Sequence, residues 1–222
     1  MKKILLLATL LLLSSCMKFE GEIQFASDGT ANTKASVDMT KFMVLMEAFG
    51  SGSNTSTINK NLCLDENFSG GLSEGMGKSK VKMNNFQCTS LGDYKVQITG
   101  DLDYRKQKGI IFQSGGTIVA DLLLLGDGET TPSSSERTAE GTKEAEDMGF
   151  SMSQKYTFPG KVSFIDAGTI TSDNTVSLNL LDSKILNRRS LIVIVTSDGR
   201  KLSRKEINGY KLQLKKYNRT IQ

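Results

Sequence analysis

Residues 18–38 read KFEGEIQFASDGTANTKASVD, and this stretch decides the fold. Phe19, Gly21, Ile23 and Phe25 alternate with Lys18, Glu20, Glu22 and Gln24. Period two puts one set on an apolar face and the other in water, so the segment is a strand with one face buried. Asp28-Gly29 follows, a pair that tolerates positive φ and favours a tight turn. Ala31, Thr33, Ala35 and Val37 carry the inner row back. The stretch is a β-hairpin.

Downstream the period changes. In residues 38–50, DMTKFMVLMEAFG, the residues Met39, Phe42, Met43, Met46 and Phe49 recur at helical spacing. Asp38 can cap the start and Gly50 the end, which predicts an amphipathic helix of about three turns. Such a stripe is more often core than ligand cradle. Methionine conforms to greasy ligands, however, so Phe42, Met43, Met46 and Phe49 are candidate ligand-lining residues.

Residues 50–79 carry little regular signal. From Tyr94 to Arg105, the residues Tyr94, Val96, Ile98, Leu102 and Tyr104 form an inner row, which Gly100 interrupts as a bulge or bend would. KQKG turns the chain, and residues 109–125 return it. Residues 126–148 are acidic and of low complexity, too poor in apolar surface to offset their own ordering. Strand patterning of the same character on both sides predicts one domain with a mobile insertion. Pro159 lacks a backbone donor and marks an edge strand or bulge. Val176, Leu178 and Leu180 form another inner row. LIVIV at 191–195 is apolar on both faces, as a central strand is. YKLQLKKY at 210–217 reads as a closing strand, with Tyr210, Leu212 and Leu214 inward. Together these predict an α+β fold, a mostly antiparallel twisted sheet of about eight or nine strands packed on one main amphipathic helix.

The other end of the chain gives an address. Lys2 and Lys3 precede an apolar run at 4–13 broken only by Thr9, and then Leu13-Ser14-Ser15-Cys16. The run has the length of a signal-peptide core and falls well short of the ~20 residues of a spanning helix. The last four residues match a lipobox, in which the cysteine thiol takes a diacylglyceryl group and becomes the new N-terminus. That divides the chain into a signal peptide at 1–15 and a single envelope domain at 16–222. Two or three acyl chains anchor stably where one does not. Met17 is not the aspartate of an inner-membrane retention signal, which makes the outer membrane the expected site in a host with two.

Beyond Cys16 lie 206 residues. From Arg188 onward there are ten basic and two acidic residues, a net charge of +8, against −6 for residues 17–187. Such asymmetry fits an anionic partner, which in an envelope means lipid headgroups or an acidic polymer before nucleic acid. Lys211, Lys215 and Lys216 are the candidate contacts; a solvated, lysine-rich sheet face is the plainer alternative. Cys63 and Cys88 remain. In an oxidising compartment a disulfide is the first reading and two unpaired buried thiols the second. Zinc lacks ligands, because the chain has no histidine.

The opening hairpin, the methionine-rich DMTKFMVLMEAFG, and downstream FPGKV, IDAG and TSDNTVSLNL together resemble the LppM-like class of bacterial lipoproteins. The resemblance covers about a third of the mature chain. It implies a sheet curved around a helix, with a pocket for an amphiphile or glycolipid and no catalytic residues. Many members end in a transmembrane helix and a basic tail; this chain carries the basic tail.

Without histidine, serine–histidine–aspartate and cysteine–histidine chemistry is excluded. Ser79-Lys80-Val81-Lys82 fits S-x-x-K, and Ser172-Asp173-Asn174 fits S-D-N, as in penicillin-binding enzymes. The serine lies in a strand-like stretch, however, and no K-T-G follows. Asp101 and Asp103 share a strand face, as a polar surface row also would. The sequence therefore predicts a non-enzymatic, lipid-anchored protein without a cofactor or metal, binding an amphiphilic or anionic envelope component. The alternatives are an assembly lipoprotein docking a protein through a basic C-terminal hairpin and, more remotely, a histidine-free hydrolase.

Overall fold

A computed structural model describes residues 17–49, 60–64, 83–105, 107–113, 115–125, 146–147, 149–186 and 188–221. The leader with Cys16, the S-x-x-K stretch and nearly all of the acidic insertion lie outside the described residues.

The predicted hairpin forms as read. Strand β1 (Met17–Phe25) pairs antiparallel with β2 (Thr30–Asp38), from Lys18 opposite Asp38 to Phe25 opposite Ala31. At the turn Gly29 takes φ +87°, while the Asp28 carboxylate accepts from Thr30 N at 2.9 Å. The predicted helix follows as α1 (Thr40–Phe49), and Asp38 accepts from Thr40 N at 3.0 Å. Strands β3 (Met83–Gly92) and β4 (Lys95–Asp103) continue the meander. The inner row from Tyr94 to Tyr104 is buried throughout. Gly100 stays in that row; the bulge lies opposite it, in β3 between Asn84 and Gln87.

The fold class differs from the expectation. The described residues are mostly β: eleven strands in two sheets. The first sheet has seven strands in the order β3-β4-β2-β1-β7-β10-β9, with β7 at Phe150–Thr157, β9 at Thr169–Ser172 and β10 at Thr175–Asn179. It is mixed, because β1 and β7 run parallel, Met17 opposite Phe150. Residues 109–125 do not return along β4. They open a second, antiparallel sheet of order β5-β6-β11-β8, with β5 at Ile110–Phe112, β6 at Ile118–Asp121, β8 at Lys161–Ile165 and β11 at Ile192–Thr196. A short helix α2 (Ser183–Leu186) precedes β11.

The main helix is not α1. It is α3 (Arg204–Thr220), formed by residues that the alternation of Tyr210, Leu212 and Leu214 had marked as a strand. Ser203 caps it, accepting from Glu206 N at 3.3 Å, while the Glu206 carboxylate accepts from Ser203 N at 2.9 Å. This reciprocal box starts a helix before side-chain alternation can act. Leu214 is 2% exposed and Leu212 is 53% exposed, a helical outcome for residues two apart.

The layers are therefore sheet, sheet, helix. Phe25, Leu102, Tyr156, Val176 and Leu178 of the first sheet meet Ile110, Ile118, Ala120, Val193 and Val195 of the second. On the far face of the second sheet, Val119, Ile192 and Ile194 meet Leu202, Ile207, Tyr210 and Leu214. That is why β11 is apolar on both sides. It is central, as its composition indicated, but in a sheet covered twice. Pro159 lies at the corner where β7 leaves the first sheet and β8 enters the second as an edge strand.

Candidate functional site

The basic C-terminal segment is a helix lying on a sheet, and that placement sorts its cations. Lys211 is held inward: its Nζ donates to Asp166 Oδ1 at 2.7 Å and sits 5.0 Å from the centre of the Phe164 ring. Asp166 in turn accepts from Ile192 N at 3.1 Å, so the pair fastens the helix to the sheet. Asn218 Oδ1 accepts from Gly109 N at 2.8 Å, and Gln213 Oε1 accepts from Gln113 Nε2 at 2.8 Å. At the other end Arg200 donates to Glu206 at 2.6 Å. The Arg200 guanidinium, helped by Ser203, holds the Glu206 carboxyl down at about 2.

Between the C-terminal half of α3 and the end of the second sheet runs a groove of about 470 Å³, with Ile192 and Leu214 in its wall. Its carboxylates are engaged. Buried Asp121 accepts from Ser190 Oγ at 2.6 Å, Leu191 N at 2.9 Å and Leu123 N at 3.2 Å. The groove's other cations, Lys215 and Arg219, stand one turn apart and exposed. Among the described residues no carboxylate pairs with Lys215, Lys216 or Arg219. Two free cations beside a partly apolar wall can hold an anionic group. Both carboxylates of the groove accept from backbone and side-chain donors.

Of the predicted contacts, Lys215 and Lys216 are thus open on the helix, whereas Lys211 has a structural task. Arg219 was missed. Its place beside Lys215 depends on i,i+4 geometry, which a strand reading cannot supply. The Cys63 and Cys88 sulfurs are bonded, joining the 3-10 turn Leu62–Leu64 to β3. Met43 is buried among Leu62, Tyr94 and Val96, and Phe42 packs against the same cluster, so both serve as core. The side chains of Met46 and Phe49 lie outside the described residues. Asp101 accepts from Asn85 Nδ2 at 2.6 Å, and Asp103 accepts from Arg105 Nε at 2.9 Å; each carboxylate has its own donor. Ser172-Asp173-Asn174 is the β9–β10 turn, with Asn174 donating to Phe158 O at 3.2 Å. Among the described residues there is no cluster of metal-ligating side chains, and no helix is long and apolar enough to cross a membrane.

No family model matches this chain, and no curated protein matches it. Among solved structures it is similar to the NMR structure of the folded domain of LppM from Mycobacterium tuberculosis. Identity is 9% over 86% of this chain and 94% of that one, at a TM-score of 0.34. So slight a likeness assigns neither family nor function.

Proposed function

We propose that this protein is a non-enzymatic lipoprotein of the bacterial cell envelope, anchored through acylated Cys16, which docks an anionic envelope component on helix α3. The observation that carries the anchor is Leu13-Ser14-Ser15-Cys16 behind a charged head and a short apolar run. The Cys63–Cys88 disulfide agrees with an exported, oxidising location. For the docking surface, the support is Lys215, Lys216 and Arg219, exposed on α3 and paired with no carboxylate among the described residues.

Two measurements test this. Replacing Cys16 by serine abolishes incorporation of labelled palmitate and releases the protein from the membrane pellet; retention of both overturns the anchor. Reversing Lys215, Lys216 and Arg219 to glutamate removes binding of a fluorescent polyphosphate, as does high salt, while the melting temperature holds. Unchanged polyphosphate binding by the folded triple variant removes α3 as the docking surface.

A further inference from the structure

The acylated residue and the first strand leave almost nothing between them. Met17 opens β1 and is already in register, opposite Phe150 of β7. One residue spans at most ~3.6 Å. The headgroup layer on each side of a bilayer is on the order of 5–8 Å thick. If Cys16 carries its lipid in the bilayer, the end of the first sheet holding Met17 lies at headgroup level, with no linker to lift it away.

That end can be named strand by strand. Lys18 lies opposite Asp38, Asp38 opposite Lys95, and Lys95 opposite Gly92. Helix α1, the β3–β4 hairpin and the turn Leu62–Leu64 therefore share it; Tyr94 N donates to Lys60 O at 2.8 Å. Exposed apolar side chains gather there. Val44 is 57% exposed, Leu64 68% and Leu91 55%, and Met152 stands two residues into β7. The charges at this end are balanced, with Lys95 on Asp38 at 2.9 Å and Lys60 on Asp93 at 3.2 Å. Paired charges around protruding aliphatic groups suit a lipid–water interface better than a soluble polyanion, and the polyanion surface on α3 lies on a face of the molecule rather than at this end.

We infer that this end of the domain is a membrane-contacting surface, in which Val44, Leu64 and Leu91 enter the headgroup region of the bilayer that holds the anchor. This rests on acylation of Cys16. It adds that the body is seated on the lipid in one orientation rather than tethered loosely above it.

The test uses the mature, acylated full chain reconstituted into phosphatidylethanolamine–phosphatidylglycerol vesicles. With Cys63 and Cys88 bonded, single added cysteines at 44, 64, 91, 170 or 212 accept an environment-sensitive fluorophore. Positions 170 and 212 serve as controls of comparable exposure, Ile170 at 47% and Leu212 at 53%. Labels at 44, 64 and 91 are expected to shift to the blue and lose most of their emission to headgroup-level nitroxide lipids, while 170 and 212 keep theirs. Mass spectrometry of the N-terminal peptide is read on the same sample. An acylated peptide with all five labels equally unquenched overturns the seated orientation and leaves the anchor standing. A peptide without acyl chains overturns the anchor itself, and the inference with it.

Discussion

Gly160 sits where the chain leaves one sheet for the other, and its missing side chain leaves room for the end of β11 beside the start of β8. A Cβ at this position would stand 2.7 Å from the Thr196 carbonyl oxygen and 3.0 Å from Val195 Cγ1. The first of these is backbone in a central strand's last residue and cannot rotate away. Gly160→Ala should therefore lower stability by about 1–3 kcal/mol, the usual cost of overpacking. Gly209, inside α3, is the opposite case, with nothing beyond its own stretch of helix within 4 Å of an added Cβ. Gly209→Ala should raise stability by about 0.5–1 kcal/mol through helix propensity alone. Urea midpoints of the two variants should move in opposite directions from the parent. Pro159 was legible as a break in the strand pattern because a missing donor is a property of the residue itself, though it falls in the bend between β7 and β8 and not on an edge strand or bulge. The requirement at Gly160 was not, since it is set by a carbonyl on another strand. Asp28-Gly29 is intermediate: the turn could be read, but only Gly29 uses positive φ, and Asp28 contributes a hydrogen bond instead.

Helix α3 shows two periodicities competing within one segment. Tyr210, Leu212 and Leu214 satisfy period two, yet Ile207, Tyr210 and Leu214 satisfy 3.6, and only the second set meets the sheet. The deciding signal was in the sequence as Ser203-Arg204-Lys205-Glu206, a capping box directly ahead of the apolar stripe that begins at Ile207. Truncation separates the two readings. Leu214→Ala should cost about 2–5 kcal/mol as a buried leucine, while Leu212→Ala should change stability by no more than about 0.5 kcal/mol. Equal losses in chemical denaturation would restore the strand. The cap has its own pH signature. The Glu206 carboxyl lies at about 2 against an ordinary 4.5, so its contribution is complete above about pH 4.5 and fades as pH falls through about 2. Amide exchange in the first turn of α3 should accelerate across that window, and Glu206→Gln should abolish the pH-dependent part. By contrast, α1 and β11 were legible because each carries one unopposed pattern: a helical stripe in α1 and an unbroken apolar run in β11.

At the scale of the molecule, the strands could be read but not their division into two sheets. Period-two alternation says that a strand has an inner face; it does not say which other strand supplies the opposing one. The parallel pairing of β1 with β7 joins residues 17–24 to 150–157, a contact no local pattern announces. The resulting core has unequal parts. The two sheets enclose a large cluster from Phe25 to Val195, and α3 seals the far face. Met43, Leu62, Tyr94 and Val96 form a small satellite around α1 and the disulfide. Strand β3 is an edge with little buried surface, so the Cys63–Cys88 bond is what ties the turn and that edge together. Closing a loop of this length is worth roughly 3 kcal/mol in the chain-entropy model. Because the satellite is a cluster separate from the main core, its loss should appear as local opening rather than as global unfolding. Under mild reduction, amides of α1 and of Tyr94 should exchange on the order of a hundredfold faster, the factor that roughly 3 kcal/mol sets. Those of Val193 and Val195 in β11 should keep their rates. If the β11 amides accelerate by the same factor, the satellite and the sandwich unfold as one unit, and the disulfide stabilises the whole molecule rather than the end that holds Met17.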